Sequence, residues 1–154
     1  MSRTLRTNQP DDSTTVLLIC DDEDAVPDAR AAFDAAETDT TLRFAQSLEE
    51  ALACLRGRGQ YEGVAVPDLV LLELELDGGG GYEILDAIRD DPELKRLPVI
   101  ALTTSPEREE VVRSYEAKAN ACLQKPTDEE SFADVMSAVD QFWLQRVKLP
   151  PLSR

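Results

Sequence analysis

The sequence predicts an α/β fold: a doubly wound, five-stranded parallel sheet in the order 2-1-3-4-5, with five helices. Two observations carry that prediction. From residue 16 onward, short apolar runs alternate with stretches of helical periodicity, the pattern of successive βα units. Three of the runs are apolar at almost every position, as parallel strands covered on both faces require, while one alternates in the manner of an edge strand.

Val16–Cys20, "VLLIC", is the first strand. It stops at Asp21-Asp22-Glu23-Asp24, and an alanine-rich helix follows to about Ala36, with Asp24 placed to favour the positive end of the helix dipole. "TLRFAQ", Thr41–Gln46, is the edge strand. Ser47 caps the second helix, Glu50 stands in the capping-box position, and the Gly57/Gly59 break ends it. "DLVLLEL", Asp68–Leu74, is the third strand. A glycine-rich loop and a helix from about Tyr82 to Asp90 follow, stopped near Pro92. "PVIALTT", Pro98–Thr104, is the fourth strand, with Ser105 and Pro106 as N-cap and first residue of the next helix. "NACLQKP", Asn120–Pro126, is a short fifth strand. Thr127 and Glu130 form another capping box, after which Phe132, Val135, Met136, Val139, Phe142 and Trp143 share one helical stripe. Residues 1–14 read as a polar tail, 15–145 as one domain and 146–154 as a C-terminal extension.

At 154 residues and 42% hydrophobic content the chain suits one domain with a substantial core. Its charge is lopsided: 31 Asp+Glu against 16 Lys+Arg, a formal net of -15. That field repels phosphate backbones and argues against direct nucleic-acid binding. Lysine is confined to Lys95, Lys118, Lys125 and Lys148; an acidic, lysine-poor surface fits a halophilic protein, and equally an ordinary acidic one. Cys20, Cys54 and Cys122 are widely spaced, and with no histidine in the chain they do not outline a zinc site. They fit small apolar residues in a reducing, cytoplasmic setting. No apolar run approaches the ~20 residues of a membrane span, and "MSRTLRTNQPDDSTT" lacks the apolar centre of a signal peptide.

In a doubly wound sheet, ligands sit outside the carboxyl ends of the strands, at the switch in strand order. Strand 1 brings Asp21 and Asp22 there, strand 3 brings Glu73, strand 4 Thr103 and strand 5 Lys125. Taken singly, each has an ordinary structural reading: acids suit helix N-termini, threonine suits strands, and a lysine before proline suits a solvated loop. Convergence of all five on one edge is what singles them out. Clustered carboxylates call for a compensating cation, oxygen-only ligation suits Mg²⁺, and a hydroxyl with an ammonium suits a phosphoryl group.

Across about residues 16–145 the chain resembles the receiver domain of two-component response regulators, a flavodoxin-like fold. The motifs that carry the resemblance are "LLICDDED", "PDLVLLELEL", "GGGGYEIL", "LPVIALTTS" and "ACLQKP". The closing "FWLQRVKLP" is similar to the tail of stand-alone, phytochrome-associated regulators. The resemblance implies a signalling protein rather than an enzyme, with a sensor histidine kinase, phytochrome-like or otherwise, as partner. In that family an aspartate at the end of strand 3 accepts the phosphoryl group. Mg²⁺ is held by the acid pair, by that aspartate and by the backbone two residues on, and the strand 4 hydroxyl and strand 5 lysine grip the phosphoryl oxygens. Asp21, Asp22, Thr103 and Lys125 match, with Glu75 at the backbone-ligand position.

Two positions depart. The acceptor position is Glu73, and the aromatic that usually stands three residues before the lysine is Cys122. The extra methylene carries the Glu73 carboxylate ~1.5 Å further, toward Thr103 and Lys125. It either partly imitates a phosphoryl group or pairs with Lys125 in a fixed arrangement, and in both cases phosphorylation is not expected and Mg²⁺ binding is weakened. Glu75 and Asp77 are poor substitutes as acceptor, being loop neighbours. The Gly78–Gly81 run lacks a P-loop ending and reads as a loosened turn. Two other functions share the sequence features: a conventional phosphoacceptor using an atypical residue, and a flavodoxin-like cofactor binder, which the acids after strand 1 disfavour. Phe142, Trp143 and Val147, continuing the last helix past the sheet, suggest a homodimer or docking surface.

Overall fold

The computed structural model describes residues 14–22, 25–34, 40–76, 80–103, 108–124 and 129–139. The described elements are β1 (Thr14–Ile19), α1 (Ala25–Asp34), β2 (Thr40–Ala45), α2 (Leu48–Arg56), β3 (Leu69–Glu73), α3 (Gly80–Asp90), β4 (Val99–Thr103), α4 (Arg108–Glu116), β5 (Ala121–Gln124) and α5 (Glu129–Val139), with a short 3₁₀ turn at Gly59–Tyr61. All strand pairings are parallel and the order is β2-β1-β3-β4-β5, as the sequence predicts. β1 begins at Thr14, one residue inside the expected polar tail.

Why β1, β3 and β4 sit inside follows from their composition. β3 and β4 are buried at every position, and β1 from Val16 onward. Strand alternation sends their side chains to two cores. Leu17, Ile19, Val70, Leu72, Val99 and Ala101 meet α2 and α3 through Ala51, Leu55, Ile84, Leu85 and Ile88. On the other face, Val16, Leu18, Leu69, Leu71, Ile100 and Leu102 meet α1 and α5 through Ala29, Phe33, Met136 and Val139. Cys20 and Cys54 are buried, Cys122 is half-buried, and the three form no disulfide with one another.

The α2 cap forms with one refinement. Ser47 Oγ accepts the Glu50 N–H at 3.1 Å, while the Glu50 carboxylate accepts the N–H of Gln46, one residue before the cap, at 2.7 Å. Gly57, at φ 66°, ends the helix in the left-handed region.

At the amino edge of the sheet, Arg89 fastens the ends of several elements. Its Nε donates to Lys118 O, its Nη1 to Lys95 O and Leu97 O, and its Nη2 to Asn120 Oδ1. Asn120 Oδ1 also accepts the Val99 N–H, so one guanidinium joins the end of α3 to the starts of β4 and β5. Burial lowers the Arg89 pKa from its ordinary value.

Candidate functional site

The register aligns the carboxyl ends of the central strands. Ile19 pairs with Leu72, Glu73 with Leu102, and Thr103 with Gln124. The ladder runs slightly past the strands, with Cys20 N–H on Ala45 O at 3.1 Å and Leu74 N–H on Leu102 O at 2.9 Å. The segments carrying Asp21, Glu73, Glu75 and Thr103 are therefore pinned side by side at one rim.

Glu73 closes β3 and is 5% exposed. A carboxylate this buried needs hydrogen-bond partners. Its Oε1 accepts the N–H of Asp21 at 3.5 Å, reaching across to the turn after β1. Asp21 and Asp22 themselves are exposed, and the turn is shaped by Cys20 Sγ against Asp22 O at 3.6 Å.

Thr103 closes β4 and is fully buried. Its hydroxyl donates to Glu75 Oε2 at 2.7 Å, a charge-assisted hydrogen bond. Strand alternation groups Glu75 with Glu73, but the strand ends at Glu73, and the turn delivers Glu75 to Thr103. Cys122 pairs with Ala101 and packs against the α2/α3 core, two strand positions before Gln124. Lys125, Phe142, Trp143 and Val147 lie outside the described residues.

The structure thus brings Asp21, Asp22, Glu73, Glu75 and Thr103 to one rim. Among the described residues, no group of three or more Asp, Glu, Cys or His is disposed to hold a metal ion. The Glu73 carboxylate is engaged with the Asp21 N–H and that of Glu75 with Thr103, so a divalent cation at this oxygen-only rim would compete with both hydrogen bonds.

The end of the glycine run differs from its sequence reading, while Gly78 and Gly79 lie outside the described residues. Gly80 and Gly81 are buried in the first turn of α3, which begins at Gly80 instead of about Tyr82. A Cβ at Gly81 would lie 2.5 Å from Glu73 O, 2.8 Å from Leu74 Cα and 2.9 Å from Leu74 O. Gly81 is therefore a close-packing position that seats α3 on the backbone of the rim. Beside it, Tyr82 carries Arg113 of α4 over its ring, 3.9 Å from the centroid, linking the start of α3 to α4. Neither contact had a local signal in the sequence, since each joins segments that a glycine run or a helical stripe does not specify.

Residues 16–137 match the model of the response regulator receiver domain, and the chain belongs to that family. It is a receiver of two-component signalling, whose members interact with sensor kinases. Among individual relatives, it is 35% identical to the response regulator Rcp1 of Synechocystis sp. over 131 residues, covering 83% of this chain and 89% of that protein. Among solved structures, it is similar to the phosphorylated cyanobacterial phytochrome response regulator RcpA, at 28% identity and a TM-score of 0.83 over 90% of this chain and 99% of that one. It is also similar to the Mn²⁺-bound form of Rcp1, at 32% identity and a TM-score of 0.82 with the same coverage.

Proposed function

We propose that this chain is a receiver whose signalling state does not depend on phosphorylation, because Glu73 stands where the family carries its reacting aspartate. The observation that carries this reading is the Glu73 carboxylate itself, nearly buried and turned to the Asp21 N–H. The longer side chain moves the nucleophile off the in-line position, where small displacements are costly. It supplies one negative charge where an aspartyl phosphate would supply about two. Cys122, in place of the aromatic read-out residue, removes the usual reporter as well. Asp21, Asp22, Glu73 and Glu75 remain the candidate oxygen donors for Mg²⁺, held weakly because two of them are directed elsewhere. Thr103 and Lys125 remain the candidate phosphoryl contacts.

The unit responsible is the domain from Thr14 to about residue 145, with residues 1–13 and 146–154 outside it. It acts by docking and not by catalysis. A sensor histidine kinase, phytochrome-like by the relatives it resembles, is the partner class, and the apolar Phe142, Trp143 and Val147 at the end of the sequence stripe make a homodimer the expected assembly. The test is incubation of the whole chain with Mg²⁺ and acetyl phosphate, read by mass spectrometry. The expected result is no acid-labile mass increase for the wild type and labelling restored in Glu73→Asp; stoichiometric labelling of the wild type overturns the reading. The likeness to a phosphorylated relative favours a second reading, conventional acceptance at Glu73. Labelling that is present in the wild type and abolished in Glu73→Gln would establish it.

A further inference from the structure

We infer that Glu75 is the built-in partner of Thr103, a positioning residue that holds the switch hydroxyl in one place and must be displaced by any anion that enters beside it. The inference rests on the reading of a phosphorylation-independent receiver and assigns the second carboxylate of the rim a separate task.

The hydroxyl is fully buried and its 2.7 Å bond to Glu75 Oε2 bridges the turn after β3 to the end of β4. The turn that presents Glu75 is itself fixed. Leu74 and Leu76, on either side, are buried in the α2/α3 core. Leu74 N–H is tied to Leu102 O, and α3 presses on the Leu74 backbone through Gly81. The backbone that presents Glu75 is therefore already ordered, and the bond to Thr103 costs mainly the rotamer freedom of the glutamate side chain. The two glutamates divide the rim: Glu73 ties β3 to the turn after β1, and Glu75 ties the turn after β3 to β4. Thr103 thereby has an anionic partner without any phosphoryl group present.

The experiment is methyl and amide NMR of the full chain, without Mg²⁺ or phosphodonor, comparing wild type, Glu75→Gln and Glu75→Ala. Glutamine keeps an acceptor oxygen; alanine removes it. The expected result is a displaced Thr103 γ-methyl resonance and about tenfold faster amide exchange at the end of β4 in Glu75→Ala, the loss a charge-assisted bond implies, with most of both effects reversed in Glu75→Gln. A Glu75→Ala protein whose Thr103 signals and exchange match the wild type overturns the assignment, as does a Glu75→Gln protein indistinguishable from Glu75→Ala. Because no phosphodonor is present, this result is independent of the labelling assay: a labelled wild type would sink the Glu73 reading and leave the Thr103 measurement standing.

Discussion

Gly81 shows how much one missing methyl group can decide. Replacing a helical glycine with alanine ordinarily stabilises a helix by up to ~1 kcal/mol. Here the new Cβ would meet backbone atoms of Glu73 and Leu74 at 2.5–2.9 Å, and backbone cannot swing aside as a side-chain tip can. Gly81→Ala is therefore expected to destabilise, by about 1–3 kcal/mol as overpacking generally does, read as a lower urea midpoint at unchanged slope. A variant as stable as the wild type would show that α3 can retreat from the rim. The same scale explains the split between Glu73 and Glu75. They are two residues apart and chemically identical, yet one belongs to a strand and the other to a turn, so they reach different neighbours.

Among the elements, the ones legible in the sequence are those whose signal is local. The continuous apolar strands, the edge character of β2, and the Ser47 cap with its Gly57 stop all follow from residues a few positions apart. The order of the sheet was legible too, because burial ranks the strands. The first turn of α3 was not: a run of glycines carries no helical periodicity, and only contact with Glu73 and Leu74 makes glycine necessary there. At the site, the rim residues were legible because each ends a strand. The Thr103–Glu75 pairing was not, because residues 28 apart in sequence meet through a turn whose course no local pattern states. Arg89 was missed in part for the same reason, since two of its acceptors, on Lys118 and Asn120, lie 29 and 31 residues away. Its fork of donors cannot be reproduced by an ammonium group. Arg89→Lys is expected to cost about 2 kcal/mol, from the loss of several hydrogen bonds worth ~0.5–1.5 kcal/mol each, measured by chemical denaturation. A loss below the error of that measurement would mean the clamp is replaceable.

For the whole molecule, the net charge of -15 sets the terms of any self-association. Two copies repel at low ionic strength, and screening shortens the range of that repulsion from about 30 Å at 0.01 M salt to about 3 Å at 1 M. The proposed dimer is accordingly expected to strengthen as salt is added, seen by light scattering as a rise toward twice the 17.0 kDa chain mass. A clean monomer at high concentration and high salt would rule it out. The Arg89 clamp has a broader consequence. It anchors the amino edge of the sheet, while Asp21, Glu73, Glu75 and Thr103 lie at the carboxyl edge. The Arg89 hydrogen bonds are thus separated from the candidate site by the length of the strands, so the cost of an Arg89 substitution is expected to fall on the fold and not on the hydrogen bonds of Glu73 and Thr103.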